Sequence, residues 1–349
     1  MRNMGPIRFH RRAVLSSAVK LAAAGLSWGL CKSGALGGEA WPAPAITVIV
    51  PFPPGGQAEL AAVPVAAELH RHLAVDVDID YRTGDAGAIG NAVAAHSDPG
   101  GGTLLVTLTS VVTLPESHRL LGVQVPYEMA QLRPIARILS DPLMLAVRAD
   151  APWSDAAGFI ADARARPQAI VFGSNGAFGT QHVAMGMLEA VAELKLRHQP
   201  FQGAGPALKA LLKGEVMAVP AAPGLLLKHV KAGELRVLAS WGAGRKAPFS
   251  DVPTLAELGF RGAEYYTWAG LFAPAGMPIG LVRHLRFEVR QAVHDSQLAN
   301  IFERAGSPMA YLDAPEFEVF VASESARLLP VVRQMILASG HEQAKIEAP

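Results

Sequence analysis

The residues best suited to binding a ligand lie in a glycine-rich turn, PFPPGGQAEL, which follows an apolar run at residues 46–50. Prolines end the run, and the apolar spacing after the turn predicts a helix over residues 57–73. Gly56, Gln57 and Ala58 would then present backbone N–H groups without helical partners at the positive end of the helix dipole, an arrangement that binds anions. Every strand-to-helix turn has such a terminus, so this turn alone favours a structural role.

A second stretch repeats the design and shifts the interpretation towards binding. VFGSNGAFGTQHVAMGMLEAV again runs from an apolar strand through a glycine-rich turn into a helix. Two such termini from different domains would hold both ends of a dicarboxylate without an arginine. Ser174, Asn175 and Thr180 add side-chain donors, while His182 either donates to a ligand or satisfies a local carbonyl group. With a third element of this kind, RTGDAGAIGNAVAA, the turns predict a ligand cleft.

The motifs of common enzyme classes are absent from the sequence. It contains no Walker A pattern, no G-x-S-x-G elbow and no H-E-x-x-H, and the glycines of GDAGAIG lack dinucleotide-binding spacing. His70 and His72 lie two apart on the first expected helix and so point to different faces, which disfavours a shared metal. We therefore predict no enzyme activity, no cofactor and no metal. The rival hypothesis is an exported hydrolase that uses Ser174 or Ser110 with His182.

Short apolar runs alternate with amphipathic stretches along the chain, a rhythm typical of a largely parallel α/β protein. The closing third is expected to be mostly helical. Within residues 140–153, and again within residues 267–278, a strand runs into a proline-bearing turn, which indicates that the chain leaves its first domain and later returns. We predict a discontinuous first domain of residues 41–142 and 268–349, and a second domain of residues 143–267.

The composition fits a globular protein and argues against nucleic acid as a partner. Of the 349 residues, 50% are hydrophobic and 17% are charged, which is enough apolar surface for two ordinary domains. Six of the 31 Lys and Arg residues and one of the 30 acidic residues precede Trp41, so the rest of the chain carries 25 basic and 29 acidic side chains. The resulting net charge of about −4 is not the electrostatic footprint of a nucleic-acid-binding protein.

The first 40 residues have the layout of a secretory signal peptide: a basic start, an apolar stretch and then small residues. The pair Arg11 and Arg12 is compatible with the twin-arginine export route, and Sec export is the alternative. Cleavage after Ala35 or Ala40 would leave a periplasmic chain without cysteine, because Cys31 is the only one, and this excludes disulfides and thiolate sites. No later segment stays apolar for about 18 residues, so no membrane span is predicted after the signal.

Eight segments occur in an order and at separations that resemble the substrate-binding receptors of tripartite tricarboxylate transporters, often called Bug proteins. The segments are ITVIVPFPPGGQAE, YRTGDAGAIGNAVAA, GTLLVTLTS, FGSNGAFGTQHVA, FQGAGPALKALLKGEV, LLLKHVKAGELRVLA, SDVPTLAELGF and WAGLFAPAGMP. The resemblance covers almost all of the chain from residue 46 to about residue 340. It implies a periplasmic binding protein-like α/β fold of type II, with two α/β domains joined by two crossing strands and a ligand cleft between them.

The resemblance also implies which residues line that cleft. The family's two ligand loops and its cleft wall fall on Pro53, Gly55, Gly56, Gln57, Ala58, Ala88, Thr109, Ser110, Ser174, Asn175, Gly176, Thr180, His182 and Ala221. Relatives usually carry aspartate where this chain has Glu59, Met217 and Ala221. Without the last two acids the cleft lacks acceptors for an amino group, so we expect a plain or aromatic carboxylate as the ligand rather than an amino acid.

In function, the resemblance implies an exported, monomeric receptor that closes on a small organic carboxylate in the periplasm and delivers it to membrane transporter subunits. In an alternative function, the receptor binds the same kind of carboxylate, but the loaded receptor signals to a partner protein instead of delivering the ligand. Recognition is implied to run largely through backbone groups and ordered water, which leaves the identity of the anion open.

Overall fold

The structure, a computed structural model, describes residue 43 and residues 45–339 of the 349-residue chain. The signal peptide expected at residues 1–40, with Cys31 and both cleavage sites, lies outside the described residues. No helix in the described part of the chain is long and apolar enough to cross a membrane.

The described residues form eleven strands and ten α-helices, joined in places by short 3-10 turns. The strands are β1 (Ala45–Val50), β2 (Asp76–Tyr81), β3 (Thr103–Leu108), β4 (Leu132–Pro142), β5 (Met144–Arg148), β6 (Val171–Ser174), β7 (Arg197–Pro200), β8 (Ala218–Ala221), β9 (Leu235–Ser240), β10 (Tyr266–Pro274) and β11 (Met309–Asp313). The helices are α1 (Gln57–Leu73), α2 (Ala88–Ala95), α3 (Leu114–Leu121), α4 (Ala156–Ala165), α5 (Thr180–Ala192), α6 (Ala204–Lys213), α7 (Pro223–Lys231), α8 (Ile279–Val293), α9 (Ser296–Arg304) and α10 (Ala314–Ala338).

The strands form two sheets, each at the centre of one lobe. The first sheet has the order β11-β4-β10-β3-β1-β2, and the second has the order β7-β6-β8-β5-β9. Parallel pairing links β1 to β2 and β3, and links β6 to β7 and β8. The remaining pairs, which involve β4, β5, β10 and β11, are antiparallel. The expectation of a largely parallel protein therefore holds for only part of each sheet.

The antiparallel pairs arise where the chain passes between the lobes. Strand β4 leads out of the first sheet, and β5 begins in the second sheet after the single residue Leu143. Strand β10 later re-enters the first sheet beside β4, with Thr267 opposite Asp141. A strand that leaves a sheet and a strand that returns to it run in opposite directions when they are neighbours. The domain boundaries expected from the sequence remain predictions.

Helix α10 contacts both lobes. It packs against β4 and α3 of the first lobe and against α5 of the second. At the second contact the absence of a side chain on Gly186 makes room for Met335, because a Cβ on Gly186 would lie 2.6 Å from the Met335 sulfur. The two lobes are thus connected by the two crossings and also by this packed helix.

Candidate ligand-binding site

The turn between β1 and α1 is shaped by its prolines and glycines. Prolines cannot continue the hydrogen-bonded strand, and Gly55 has a φ of +91°, a left-handed conformation that favours glycine. Gly56 then returns to an extended conformation and begins α1 without a side-chain cap. The N–H groups of Gln57 and Ala58 therefore have no partner inside the helix and lie at the positive end of its dipole.

The turn between β6 and α5 has a similar form but is braced by a side chain. Gly176 has a φ of +120°, and the Asn175 Oδ1 accepts a hydrogen bond from the Gln181 backbone N–H at 3.0 Å. Gly179 precedes α5 without a side-chain cap. The side chain of Gln181 is 3% exposed, and its Oε1 has no hydrogen-bond partner among the described residues. A buried amide left in this state is costly unless a ligand or water pairs with it.

Both turns border one cavity of about 500 Å³, a size suited to a small-molecule ligand. The first turns of α6 and α7 also reach this cavity, through Ala204, Ala222 and Gly224. Four helix N-termini therefore meet around it, and none of the four has a side-chain cap. Aspartates cap the N-termini of α4, α9 and α10, whereas α2, α3 and α8, which do not line the cavity, also lack a side-chain cap. Asn175 takes the Gln181 N–H of α5, and α7 begins with Pro223, which has no N–H, but the remaining N–H groups of these first turns can bind an anion.

The cavity wall carries one acidic and one basic side chain, Glu59 and Lys228. The Glu59 carboxylate accepts hydrogen bonds from the Gly55 backbone N–H, at 2.6 Å, and from the Tyr81 hydroxyl. Burial, together with the hydrogen bond to Glu59 and its charge, raises the pKa of Tyr81 to about 12, so this hydroxyl stays protonated and donating at neutral pH. Lys228 is exposed and makes no ion pair or side-chain hydrogen bond with the described residues.

The first turn of α1 is tied to the strands that cross between the lobes. The Gln57 Nε2 donates to the Asp141 carboxylate at 3.0 Å, and the Thr267 hydroxyl donates to the Gln57 Oε1 at 2.7 Å. Burial raises the pKa of Asp141, while Ser307, Lys246 and Gln57 partly oppose that shift. The amide side chain of Gln57 is therefore committed to the crossing strands, while the first turn of α1 lines the cavity.

The lobes touch at several points around the cavity. An added Cβ on Gly203 would lie 2.7 Å from Pro53 of the opposite lobe, and one on Gly224 would lie 2.7 Å from the carbonyl oxygen of Ala305. The Thr113 hydroxyl also donates to the carbonyl oxygen of Phe178 at 3.1 Å. These contacts describe a closed cleft.

Half of the site residues expected from the sequence line the cavity: Pro53, Gly55, Gly56, Gln57, Ala58, Asn175 and Thr180. The other half lie outside its lining: Ala88, Thr109, Ser110, Ser174, Gly176, His182 and Ala221. Their role in binding stays a prediction, but the structure shows how several of them are engaged. The Thr109 hydroxyl accepts from the Trp268 backbone N–H at 2.9 Å, and the Ser110 hydroxyl donates to the carbonyl oxygen of Ala86 at 3.1 Å.

His182 belongs to a stack of two imidazole rings behind the second turn. Its ring lies parallel to that of His198, with centroids 3.7 Å apart, and its Nδ1 accepts from the Phe178 backbone N–H at 2.9 Å. Burial, and then the neighbouring His198, holds the pKa of His182 well below its ordinary value, and burial lowers the pKa of His198 to about 4. Both rings are therefore neutral at pH 7. The local partner of His182 is the Phe178 backbone N–H rather than the carbonyl group considered from the sequence.

The arrangement expected for a serine hydrolase is not formed. Ser174 is fully buried and bonds to the Nε2 of His198 at 2.6 Å, and His198 has no carboxylate hydrogen-bonded to it among the described residues. The Ser110 hydroxyl donates to a backbone carbonyl group rather than to a histidine. The described residues also contain no group of three or more metal-ligating side chains.

The sequence did not point to several residues that complete the cavity. Leu60, Val63 and Pro64 continue the wall along α1, and Lys228 does so along α7. Gln181 lies in the second glycine-rich stretch, but hydrophobic periodicity does not show which residues in the first turn of a helix face a cavity. The helical spacing from Gln57 to Leu60 and Pro64 was the one signal that could have revealed the wall of α1.

The chain is similar to known proteins along most of its length. A family model described as tripartite tricarboxylate transporter family receptor matches residues 62–337. Protein BugT of Bordetella pertussis is 29% identical over 297 residues, which cover 85% of this chain and 90% of that protein. The solved structure of R. palustris Rpa4515 with adipate has a TM-score of 0.78 and 27% identity, and the alignment covers 84% of this chain and 98% of that one. MatC (Rpa3494) from Rhodopseudomonas palustris with bound malate has a TM-score of 0.77 and 25% identity, with coverages of 84% and 100%.

These matches confirm the resemblance inferred from the eight sequence segments and the expected two-domain periplasmic binding protein fold. The family consists of receptors for solutes, which agrees with the prediction that the chain is not an enzyme. The family model spans most of the described chain, including the second turn and the wall of α7. The chain belongs to the tripartite tricarboxylate transporter receptor family.

Proposed function

We propose that this receptor captures a small organic carboxylate in the cavity between its lobes and delivers it to the membrane subunits of a tripartite transporter. The observation that carries the proposal is the meeting of four helix N-termini around one cavity. Each terminus favours an anionic oxygen by roughly 0.3 to 2 kcal/mol in addition to the hydrogen bonds it makes.

Two related structures support the choice of ligand class, because one was solved with adipate and the other with malate. Both are carboxylates. In the present chain, the termini of α1 and α5 come from opposite lobes, so a ligand can reach both sets of N–H groups only when the cleft is closed. That difference between the open and closed states is what allows a ligand to drive closure.

The described cavity wall has no unpaired carboxylate to balance the charge of an ammonium group, and its unpaired acceptors, which include the Gln181 Oε1, are neutral. Glu59 already accepts from Gly55 and Tyr81, and Asp141 is committed to Gln57 behind the wall. Met217 packs against the apolar core instead of lining the cavity. We therefore keep the preference for a plain or aromatic carboxylate over an amino acid. Succinate binding more tightly than aspartate in calorimetry is the expected result, and equal or tighter binding of aspartate would contradict it.

The proposal is tested by a thermal-shift screen of di- and tricarboxylates, keto acids, aromatic acids and amino acids, followed by calorimetry. A saturable rise in the unfolding temperature with at least one carboxylate is expected. A Gly56→Pro variant should lose affinity, because it removes a backbone donor and alters the turn. If no carboxylate shifts the wild-type protein, or if Gly56→Pro binds normally, the assignment of this cavity fails.

Export to the periplasm, a monomeric state and delivery to transporter subunits form part of the same proposal. Export is supported by the signal-like first 40 residues, and delivery to a transporter is supported by the family match. The family match also favours transport over a signalling output. Capture of the transporter's membrane subunits by the carboxylate-loaded receptor is the expected result of a pull-down, whereas capture of a sensor kinase would support the alternative.

A further inference from the structure

The cavity has a polar inner end and an apolar outer part. The inner end contains the buried residues Gln57, Thr180 and Gln181, while the outer part is lined by the less buried Leu60, Val63 and Pro64 of α1 and Leu225 of α7. From Gln57 to Pro64 the wall follows α1 for seven residues, which corresponds to about 10 Å along the helix axis. An anion held at the inner end would therefore have room for an apolar body.

A single cation stands on the outer part of this wall. Lys228 lies one helical turn beyond Gly224, so both residues are on the same face of α7. Its ammonium group makes no ion pair or side-chain hydrogen bond with the described residues, whereas the neighbouring His229 pairs with Glu234 at 2.6 Å. The four-carbon stem of Lys228 lets the charge reach over the cavity mouth while its base lines the apolar wall.

The acid on the same wall does not compensate Lys228. The Glu59 carboxylate is held by Gly55 and Tyr81, and no ion pair joins it to Lys228. Its charge is also offset by the N-terminus of α1. The cavity thus offers two separate places for negative charge: the helix termini at its inner end and Lys228 at its mouth.

We propose that Lys228 is a specificity-determining residue that pairs with a second acidic group of the ligand. The preferred ligand is then an elongated dianion whose middle is apolar, such as a straight-chain dicarboxylate. This inference rests on the proposed function, because it assumes that a first carboxylate occupies the inner end. One carboxylate of such a ligand would bind at the polar inner end, its apolar middle would contact the wall of α1, and its second carboxylate would pair with Lys228.

The test compares acids of equal chain length that differ only in the second carboxylate: adipate with hexanoate, and suberate with octanoate. Calorimetry is performed on the wild-type protein, on Lys228→Met and on Lys231→Met. Lys231 is an exposed lysine of the same helix that does not line the cavity, so its variant controls for a general loss of positive charge.

We expect Lys228→Met to weaken binding of the dicarboxylates by about threefold to tenfold and to leave the monocarboxylates unchanged, since the pair is partly desolvated when the cleft is closed. Lys231→Met should bind like the wild type. The loss should shrink as ionic strength rises, because the pair is near solvent. Unfolding temperatures without ligand show whether each variant is folded.

Two results overturn the inference and can be told apart. If wild type and Lys228→Met bind the dicarboxylates equally, or if Lys228→Met weakens the monocarboxylates just as much, Lys228 does not read a second acidic group, while the proposed function stands. If the wild type binds neither class of acid, the proposed function fails, and the role of Lys228 fails with it.

Discussion

The carboxylate of Glu59 accepts a hydrogen bond from the backbone N–H of Gly55 at 2.6 Å. An acidic side chain in the first turn of α1 therefore stabilises the turn between β1 and α1. Glu59 is the third residue of α1, where a negative charge is favourable. It also lies on the wall of a cavity that we expect to hold an anion. The side chain therefore stabilises the turn and opposes the ligand at the same time.

Replacing Glu59 should separate these two effects. We expect Glu59→Gln to bind adipate about twofold to fivefold more tightly at low ionic strength, because a nearby like charge is removed. The free energy of unfolding should fall by about 0.5–1 kcal/mol, because the charge at the helix N-terminus is lost. Calorimetry and urea denaturation measure the two quantities. Glu316→Gln is the matched control, since Glu316 lies in the first turn of α10 away from the cavity and should change stability alone.

The same variant should change the titration of Tyr81. Its pKa is raised to about 12 by burial first, and then by the hydrogen bond to Glu59 and its charge. Glu59→Gln removes the charge but leaves the burial, so Tyr81 should ionise at a lower pH, although still above its ordinary value. Ultraviolet titration of tyrosine absorbance follows this change. An unaltered titration would mean that Glu59 and Tyr81 are not in contact in solution.

Gln57 should contribute mainly to stability. Gln57→Ala leaves the buried carboxylate of Asp141 without its amide donor and the Thr267 hydroxyl without its acceptor. We expect the free energy of unfolding to fall by about 1–3 kcal/mol in urea denaturation. Gln297→Ala, which removes an exposed glutamine side chain, should have little effect. Equal stability of the two variants would show that the link between α1 and the crossing strands is weak.

The stacked histidines should make the protein less stable in acid. Burial lowers the pKa of His198 to about 4, whereas a histidine in the unfolded chain titrates near 6.5. Between these values only the unfolded state takes up the proton, so this contribution is complete above about pH 6.5 and is lost as the pH falls towards 4. His198 alone accounts for about 3 kcal/mol of that loss.

The acid effect is measured by urea denaturation at a series of pH values in the absence of ligand. His198→Gln keeps a polar group near Ser174 but no longer titrates in this range, so the slope between pH 6.5 and 4 should be shallower. If the free energy of unfolding falls equally steeply with pH in both proteins, His198 is not the source of the acid effect, and another titrating group is responsible.

Gly224 should control closure rather than folding. It is the second residue of α7, where alanine is a better helix former, but a Cβ there would meet the carbonyl oxygen of Ala305 at 2.7 Å and the Ser307 hydroxyl at 2.9 Å. We expect Gly224→Ala to weaken carboxylate binding by about tenfold or more, because it holds the lobes apart without a cost in the open state. Calorimetry measures the affinity, and small-angle X-ray scattering with ligand measures the closure.

Gly280→Ala is the matched control for this variant. Gly280 is the second residue of α8, and an added Cβ there would meet no atom within 4 Å. The free energy of unfolding of Gly280→Ala should rise by about 0.5–1 kcal/mol, and its affinity for the carboxylate should not change. If Gly224→Ala behaves in the same way, the contact between α7 and residues 305–307 does not limit closure.

Long elements with regular apolar spacing were predictable from the sequence. The helix expected over residues 57–73 is α1, and the helix expected after the second glycine-rich turn is α5. A glycine-rich turn defines the start of both helices. For the same reason, the seven expected site residues on the cavity wall come from the two turns beside helix starts.

The other features depend on contacts between distant parts of the chain. Strand β11 lies between the two helical stretches expected in the closing third of the chain and was not expected from the sequence, since its pairing with β4 across a long separation decides its conformation. The stack of His182 on His198 and the position of Lys228 at the cavity mouth likewise require the fold of the second lobe. Local patterns do not contain that information, so the sequence located the two turns but not the walls between them.

The four uncapped helix termini also have an evolutionary consequence. Backbone N–H groups are not encoded by any particular side chain, so most substitutions in these first turns leave the capacity to hold an anion intact. Selection can then alter residues one turn further out, such as Leu60 on α1 and Lys228 on α7, without rebuilding the part of the site that recognises charge. A receptor built in this way can acquire a new nutrient through a few substitutions at its mouth.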